Sequence, residues 1–272
     1  FKSNKHLTSV SLCLSAFLIF LCLPGYASNS NFEPNIAPQQ QTNIQQHSDT
    51  SETQVGNANT TIMPYQASYS TAIKGLEASL DRSLNINEDG LWQLSNNAAL
   101  FLTKISESSL FKVNDLQVVP HRYRYINPLN SKRNSDLQFD WQQNEAVNNE
   151  QKTAPISLTK NSYDKLSFQT QLRLELIKQG ALYKGGEYLL IDGNRIKKYK
   201  ITVLGEETIT TPAGNFKTIK LKQYRPKKNK HTLIWLAKDW QYLIVRFERF
   251  NDEKSENTLV LQKATINGFA IN

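Results

Sequence analysis

Few side chains in this 272-residue chain have the types and spacing that catalysis requires. Beyond residue 65 the histidines are His121 and His231, and neither has a serine, cysteine or acid at the spacing of a known catalytic triad. The sequence contains no HExxH, CxxC, EF-hand, P-loop or GxGxxG motif. The adjacent acids Glu206 and Glu207 would point to opposite faces of a strand. We therefore predict no catalytic residue, no metal site and no cofactor.

Basic residues are the more informative chemical feature. Lys220 and Lys222 are two residues apart and share a face opposite Ile219 and Leu221. Charges gathered within about 8 Å reinforce one another at physiological salt, which predicts a patch that attracts anions. The alternative is a solvated edge whose lysines prevent pairing with other chains. The candidate anion-binding residues are Lys198, Lys200, Lys220, Lys222, Arg225, Lys227 and Lys228.

Composition excludes several classes of protein. With 39% hydrophobic residues and a mean hydropathy of −0.51, the chain is too apolar to be wholly disordered and too polar for a multi-span membrane protein. Two cysteines and one methionine leave little room for a disulfide scaffold or a thiolate zinc cage. The formal charge of +8 and a pI near 9.3 favour anionic partners.

The N-terminus has the pattern of an export signal. Basic residues precede an apolar run over 10–23, and Gly25 and Ala27 occupy the positions that a signal peptidase selects. The run is shorter than the roughly 20 residues of a membrane-spanning helix, so we predict a signal peptide over residues 1–27, with an uncleaved anchor as the alternative. Leucine precedes both Cys13 and Cys22, where lipoprotein processing prefers a small residue. We therefore predict a periplasmic protein without a lipid anchor.

The rest of the chain divides into two segments. Residues 28–64 are rich in Asn, Gln, Ser and Thr and have few large apolar residues, which predicts a disordered tether. Residues 65–272 are long enough to form one domain with a hydrophobic core of its own. Export makes nucleic acid a poor partner, and leaves phospholipid, lipopolysaccharide or acidic glycan as the candidate anionic partners.

The elements of that domain follow from periodicity. Apolar and polar residues alternate in several runs, as in Leu137, Phe139 and Trp141, and short turn signals separate the runs, which predicts an antiparallel sheet with one wet face. The turn signals are Lys74-Gly75, Asn114-Asp115, Asp192-Gly193, Pro212-Ala213-Gly214 and Asn251-Asp252. One segment, 163–179, is rich in Leu, Gln, Lys and Glu and is followed by Gly180, which predicts a helix of about four turns.

Several segments resemble one family of bacterial envelope proteins, the domain of unknown function 3108 (DUF3108). The segments are 211–218 (TPAGNFKT), 232–239 (TLIWLAKD) and 242–246 (YLIVR), together with the helix text from Asp164 to Leu174 and the opening 65–69 (YQASY). The similarity covers most of residues 65–272. It departs from the family at Ile244, where a proline is common. The resemblance implies an exported, mainly β domain: a curved antiparallel sheet (a half-barrel or open barrel) with one principal helix packed on it, similar to lipoprotein carriers.

Three hypotheses about function follow. The leading one is a non-enzymatic carrier or binding protein of the periplasm with an apolar concavity for a lipid-like group. The second is an envelope assembly protein that contacts a partner protein through its sheet edge and basic patch, and the third is an enzyme acting on cell-wall or surface polymers. The aromatic residues that would line a concavity, or fill the core instead, are Trp92, Phe101, Phe111, Trp141 and Trp235.

Overall fold

The computed structural model of the chain describes residues 62–73, 76–100, 103–151, 153–226 and 228–271. The predicted signal peptide and nearly all of the predicted tether lie outside the described residues. Ile62, within the segment 28–64 that we predict as a tether, is 2% exposed and belongs to the core. The backbone N–H of Met63 donates to the side-chain oxygen of Gln241 at 2.9 Å. The packed domain therefore includes at least the last three residues of that segment.

The described chain consists mainly of β-strands, with one α-helix between the ninth and tenth strands. The strands are β1 (Tyr65–Ile73), β2 (Leu76–Ile86), β3 (Trp92–Leu100), β4 (Thr103–Asn114), β5 (Gln117–Ile126), β6 (Ser135–Asp140), β7 (Glu145–Asn148), β8 (Ile156–Ser157), β9 (Ser162–Tyr163), β10 (Gly185–Asp192), β11 (Arg195–Thr211), β12 (Gly214–Tyr224), β13 (Lys230–Ala237), β14 (Leu243–Asn251), β15 (Lys254–Ile266) and β16 (Phe269–Ala270). The helix α1 spans Ser167–Gln179.

All the strands belong to a single sheet in the order β8-β7-β6-β5-β4-β3-β2-β1-β15-β14-β13-β12-β11-β10-β9, with β16 on β15. The pairing of β1 with β15 joins the N-terminal and C-terminal halves. Neighbouring strands are antiparallel except for β9 and β10. The predicted turns at 114–115, 192–193, 212–214 and 251–252 connect paired strands, while the turn at 74–75 lies outside the described residues.

Alternation along the strands separates an inner face from an outer face. One row across four strands consists of buried inward side chains: Leu221, Ile234, Phe247 and Leu259. The next row, which contains Lys220 and Arg246, lies on the outer face. This two-residue period is the one that the sequence predicts.

Local interactions account for where helix α1 begins and ends. The Asp164 carboxylate accepts hydrogen bonds from the backbone N–H groups of Leu166 and Ser167, at 2.8 and 3.0 Å. At the other end, Gly180 has φ of +53°, a conformation that glycine adopts without the clash of a Cβ atom. The helix is shorter by one turn than predicted, since it begins at Ser167.

The sheet curls around α1 instead of lying flat against one side of it. Helix side chains contact strands from both halves: Gln171 accepts from the Val118 backbone on β5, and Glu175 accepts from the Tyr188 hydroxyl on β10. The outermost strands β8 and β9 are joined by residues 158–161 alone, which keeps the two edges of the sheet close together. The curved, open antiparallel sheet with one principal helix is therefore confirmed. Within the described ranges, no helix has the length and apolar character needed to cross a bilayer.

Candidate functional site

One end of the curled sheet contains a cavity of about 940 Å³, which we call the end cavity. Its walls include the β10–β11 turn, the ends of β12 and β14 with the turns that follow them, and the 3-10 helix Pro128–Arg133. Phe168 and Gln169 from the first turn of α1, and Lys165 just before the helix, also line the cavity. The antiparallel pairing brings these turns to the same end of the sheet, because β10–β11, β12–β13 and β14–β15 are successive hairpins.

Positive charge dominates the end cavity. Among the described residues that line it, nine are lysine or arginine and three are acidic. The nine are Lys132, Arg133, Lys165, Arg195, Lys197, Arg225, Lys228, Lys230 and Arg249, and the three acids are Glu107, Asp192 and Asp252. Cations that surround one concave space reinforce each other and raise the local concentration of anions.

Asp192 is neutralised within the protein itself. Lys165 Nζ lies 2.6 Å from one carboxylate oxygen, and Lys197 pairs with the other. Burial alone would raise the pKa of Asp192, but the two lysines outweigh burial and hold its pKa well below the usual range. For Lys165, burial lowers the pKa, and Asp192 and Glu107 more than offset it, so the pKa is raised. The carboxylate is thus a fixed charge at neutral pH and unsuited to act as a general acid.

Glu107 is also held by neighbouring side chains. It is 3% exposed and accepts hydrogen bonds from the Tyr123 hydroxyl at 2.6 Å and the Asn96 amide at 3.1 Å. Burial, followed by the charge of Glu107, raises the pKa of Tyr123 well above its usual value, so the phenol stays protonated as a donor. Two of the three acids of the end cavity are therefore occupied by partners within the protein.

Four cations of the end cavity have no acidic partner. Lys132, Arg195, Arg225 and Lys228 form no ion pair with any described residue. The guanidinium of Arg225 lies 5.9 Å from the centre of the Tyr199 ring, which leaves its donors available on the other side. By contrast, Arg249 and Lys230 both approach Glu256, at 3.5 and 3.7 Å. The four cations without acids are the groups best placed to receive an anion.

Apolar side chains share the lining of the end cavity with these charges. They are Tyr123, Tyr125, Phe168, Leu190, Ile196, Tyr199, Tyr224 and Phe247. The cavity therefore combines cationic and apolar lining, where the leading hypothesis from the sequence has an apolar concavity. A space with both kinds of lining suits a molecule with an anionic part and an apolar part.

The predicted anion-binding residues divide between two places. Arg225 and Lys228 line the end cavity, and Lys227 lies outside the described residues. The strand lysines Lys198, Lys200, Lys220 and Lys222 share the outer face of β11 and β12, as the pairing of Lys200 with Tyr224 and of Thr202 with Lys222 shows.

Two of the four outer-face lysines form ion pairs within the sheet. Lys198 pairs with Glu187 at 2.8 Å, and Lys220 pairs with Glu207 at 2.9 Å while lying 4.8 Å from the centre of the Trp235 ring. These acids reduce the attraction that the outer face has for an external anion. The structure thus brings two of the predicted residues together at the end cavity. Lys222 shares a neighbouring hollow with Lys228, while Lys198, Lys200 and Lys220 line neither space.

The predicted aromatic residues of the described chain are mostly buried. Trp92 and Phe111 are 7% and 0% exposed and belong to the main hydrophobic cluster. Trp235 is 4% exposed, but it lies in the outer-face row, where Lys220 and Arg246 cover its ring at 4.8 and 5.1 Å. Trp141 is partly buried beside that cluster and donates to the Pro120 carbonyl at 2.7 Å. None of these four lines the end cavity, and Phe101 lies outside the described residues.

The two histidines are not assembled with catalytic partners. Burial and then Lys112 lower the pKa of His121, while burial and then Lys222 lower the pKa of His231. His231 reaches the end cavity but stacks on Phe250 at 4.8 Å between ring centres. Across the described segments, no group of three or more His, Cys, Asp or Glu side chains is arranged to hold a metal ion.

Several residues of the end cavity escape sequence reasoning. They include Lys132, Arg133, Lys165, Arg195 and Arg249. Each lies near a turn or the start of a helix. The sequence signal that could have found them is therefore the high frequency of basic residues in the connections between strands at one end of the predicted hairpins. Which connections share an end depends on the strand order of the sheet.

The fold and the cavity define a class: a β half-barrel that curls around one helix and leaves a cationic hollow at one end. Residues 90–256 match the family described as "Protein of unknown function (DUF3108)", and the chain belongs to that family. Comparison with curated proteins found no match.

One solved structure has a similar fold. A β-barrel-like protein of domain of unknown function DUF1849 from Brucella abortus matches with a TM-score of 0.52 at 10% identity, covering 75% of this chain and 98% of that chain. The MucA/MucB complex of Pseudomonas aeruginosa matches with a TM-score of 0.37 at 10% identity, covering 78% of this chain and 55% of that chain. At such identities the first likeness shows the fold alone.

Proposed function

We propose that the protein is a non-enzymatic binding or carrier protein of the cell envelope, and that the end cavity receives an anionic amphiphile such as an acidic lipid. The observation that carries this proposal is a set of four cations around one concave space that form no ion pair with any described acid: Lys132, Arg195, Arg225 and Lys228. An anionic head group would complete their electrostatic environment.

The apolar lining supports an amphiphile over a simple ion. Rings such as Tyr125, Tyr199 and Phe247 provide surface against which an alkyl or acyl portion can be buried. The volume of about 940 Å³ is in the upper part of the range of about 300 to 1,000 Å³ that ligand pockets occupy. Export, which the pattern of residues 1–27 predicts, would place the protein among such lipids.

The state of the acids favours binding over catalysis. Asp192 is fixed by Lys165 and Lys197, and Glu107 by Tyr123 and Asn96. General acid–base catalysis needs a group that gains and loses a proton near the working pH. The pKa of Asp192 is lowered, so this carboxyl stays ionised at neutral pH and does not exchange a proton there.

A charge-matched pair of variants tests the proposal. Arg195→Gln, Arg225→Gln and Lys228→Gln together remove three cations from the end cavity, and Lys198→Gln, Lys200→Gln and Lys220→Gln together remove three from the outer face. We expect the chain to bind phosphatidylglycerol in detergent micelles more tightly than phosphatidylcholine, measured by native mass spectrometry and tryptophan fluorescence. The cavity variant should weaken phosphatidylglycerol binding by about tenfold or more, since it removes several charge-assisted hydrogen bonds.

The control variant decides between the cavity and the outer face. It has the same net charge as the cavity variant, so a general loss of electrostatic attraction would weaken both equally. Retained binding in the outer-face variant supports the end cavity as the site. Equal weakening in both variants, or equal binding of the anionic and the neutral lipid, would overturn the proposal.

A further inference from the structure

Strand β2 carries an arginine at an inward position of the core. Leu80 and Leu84 face inward and are 1% and 0% exposed, and Arg82, which lies between them with the same orientation, is 3% exposed. A strand with one wet face normally has apolar residues at such positions, because burying a charged side chain costs free energy unless it is paired. Arg82 therefore needs an explanation other than packing.

The donors of Arg82 are only partly used. Its Nε donates to the Tyr65 hydroxyl at 2.9 Å, and its Nη2 donates to the side-chain oxygen of Gln169 at 2.7 Å. Both partners are neutral. Its Nη1 is buried and has no hydrogen-bond partner.

A second buried arginine also contacts Tyr65. Arg173 of helix α1 is 3% exposed, and its guanidinium lies 4.7 Å from the centre of the Tyr65 ring. Its Nε donates to the backbone carbonyl of Gln241 at 3.0 Å. Its Nη2 is likewise buried without a hydrogen-bond partner, so one tyrosine contacts two guanidinium groups whose donors are only partly used.

No acid of the described chain forms an ion pair with Arg82 or Arg173. Burial lowers the pKa of Arg173, and the charge of Arg82 contributes to the same effect, but an arginine remains protonated at neutral pH. Two buried positive charges and two unused donors therefore lie beside one tyrosine. Arginines are almost never fully buried unless they are paired.

We propose that Arg82 and Arg173 form a buried binding site for a small oxyanion, a phosphate or carboxylate group, which accepts from the free Nη nitrogens. The planar guanidinium matches the geometry of both groups. This site goes beyond the proposed function, because it is separate from the four cations of the end cavity. Gln169 links the two regions, since it lines the end cavity and also accepts from Arg82.

The oxyanion can come from two sources with the same chemistry. It is either a free anion or the head group of an amphiphile that enters past Gln169 from the end cavity. Thermal unfolding of the chain distinguishes them, with phosphate or acetate added at constant ionic strength in one arm and phosphatidylglycerol in neutral detergent micelles in the other. A ligand that binds only the folded state raises the melting temperature with its concentration.

Arginine substitutions test whether the stabilisation arises at this site. We expect Arg82→Met and Arg173→Met to raise the apparent dissociation constant of the stabilising anion by about tenfold or more, the effect of losing a hydrogen bond between charged groups. Arg122→Met is the control, because Arg122 already pairs with Asp136 through two hydrogen bonds of 2.8 Å. Anion-dependent stability that survives in both buried-arginine variants, or disappears equally in the control, would overturn the proposal.

If a methionine variant does not fold, crystallography of the wild-type chain still tests the site. Selenate is an oxyanion with an anomalous signal, and we expect its peak within hydrogen-bonding distance of Arg82 Nη1 and Arg173 Nη2. Ordered water at both nitrogens in crystals that contain selenate would contradict the site. The Arg195, Arg225 and Lys228 triple variant separates the two proposals, since it should weaken lipid binding and leave the selenate peak at Arg82 and Arg173 unchanged.

Discussion

The ion-paired Asp192 shows how single residues of the end cavity contribute to stability. Its side chain is 14% exposed and those of Lys165 and Lys197 are each 17% exposed, so the group is largely shielded from solvent. Removing one member of a buried ion pair is destabilising, because the remaining charge is then buried without an opposite charge to compensate for its lost hydration.

We expect Asp192→Asn to lower the free energy of unfolding by about 3 kcal/mol at neutral pH, because Lys165 loses its anionic partner. The pKa of Asp192 is lowered in the folded state, so its stabilisation is present above the unfolded pKa of about 4 and is lost as pH falls through the folded pKa. Urea denaturation of both proteins between neutral pH and about pH 2 should show the difference shrinking below about pH 4.

Asp136→Asn is the matched control for this prediction. Asp136 pairs with Arg122, whose side chain is 49% exposed, so we expect a loss of only about 1 kcal/mol or less. An Asp192 effect that is no larger than the Asp136 effect, or that stays constant down to the lowest pH, would show that the buried pair contributes little.

At this scale the sequence predicts faces better than sites. Alternation places Lys220 and Lys222 opposite Ile219 and Leu221, and their exposures agree. The cavity residue Arg195, by contrast, is the first residue of β11 and directly follows a turn, so alternation gives little guidance on its surroundings. Its proximity to Arg225 depends on three hairpins ending on the same side, which a residue pattern does not contain.

At the scale of elements, two glycines with positive φ have different structural roles. Gly180 ends helix α1 at φ of +53°, and a Cβ atom there would meet nothing within 4 Å. Gly185 begins β10 at φ of +96°, and a Cβ atom there would lie 2.2 Å from the backbone oxygen of Ile201 on β11. The second position therefore adds a backbone clash to the conformational strain.

We expect Gly180→Ala to destabilise the protein by about 1 to 2 kcal/mol, from backbone strain alone. Gly185→Ala should cost at least about 2 kcal/mol more, because β10 and β11 must separate to accommodate the methyl group. Chemical denaturation measures both, and amide exchange at Tyr188 and Tyr199, which pair across these strands, reports the separation. Equal losses for the two variants would contradict this role for Gly185.

Turns whose residues favour one backbone conformation are predictable from the sequence. Segments whose composition fits both a turn and a strand are not. Asp192-Gly193 and Pro212-Ala213-Gly214 form hairpin turns as predicted, because their conformations are encoded locally. Gly185-Gly186 has the same composition as a turn, yet it forms the beginning of a strand. Gly185 has no room for a side chain because the backbone of Ile201 on β11 approaches it closely. The local sequence does not reveal this contact between strands.

At the scale of the whole molecule, helix α1 is surrounded by the sheet, and we expect this position to make the described fold unfold as one cooperative unit. Leu172, Leu174 and Leu176 are 2%, 0% and 0% exposed, although they do not lie on one side of the helix. A helix that is buried on most sides needs surrounding strands on most sides. The period-two pattern predicts the strands, but the enclosure of the helix follows from the curl of the sheet, which only the family resemblance indicates.

We expect Leu174→Ala to lower the free energy of unfolding by about 2 to 5 kcal/mol, the usual cost of a cavity in a tight core. Because the sheet surrounds the helix, both should unfold together. Tryptophan fluorescence, which reports on Trp92 and Trp235 in the sheet, should therefore show the same transition as circular dichroism at 222 nm. Leu182→Ala is the control, since Leu182 is 77% exposed and its loss should change stability by less than about 0.5 kcal/mol. Two separate transitions in the Leu174 variant would mean that the halves of the sheet, joined by β1 and β15, fold independently of the helix.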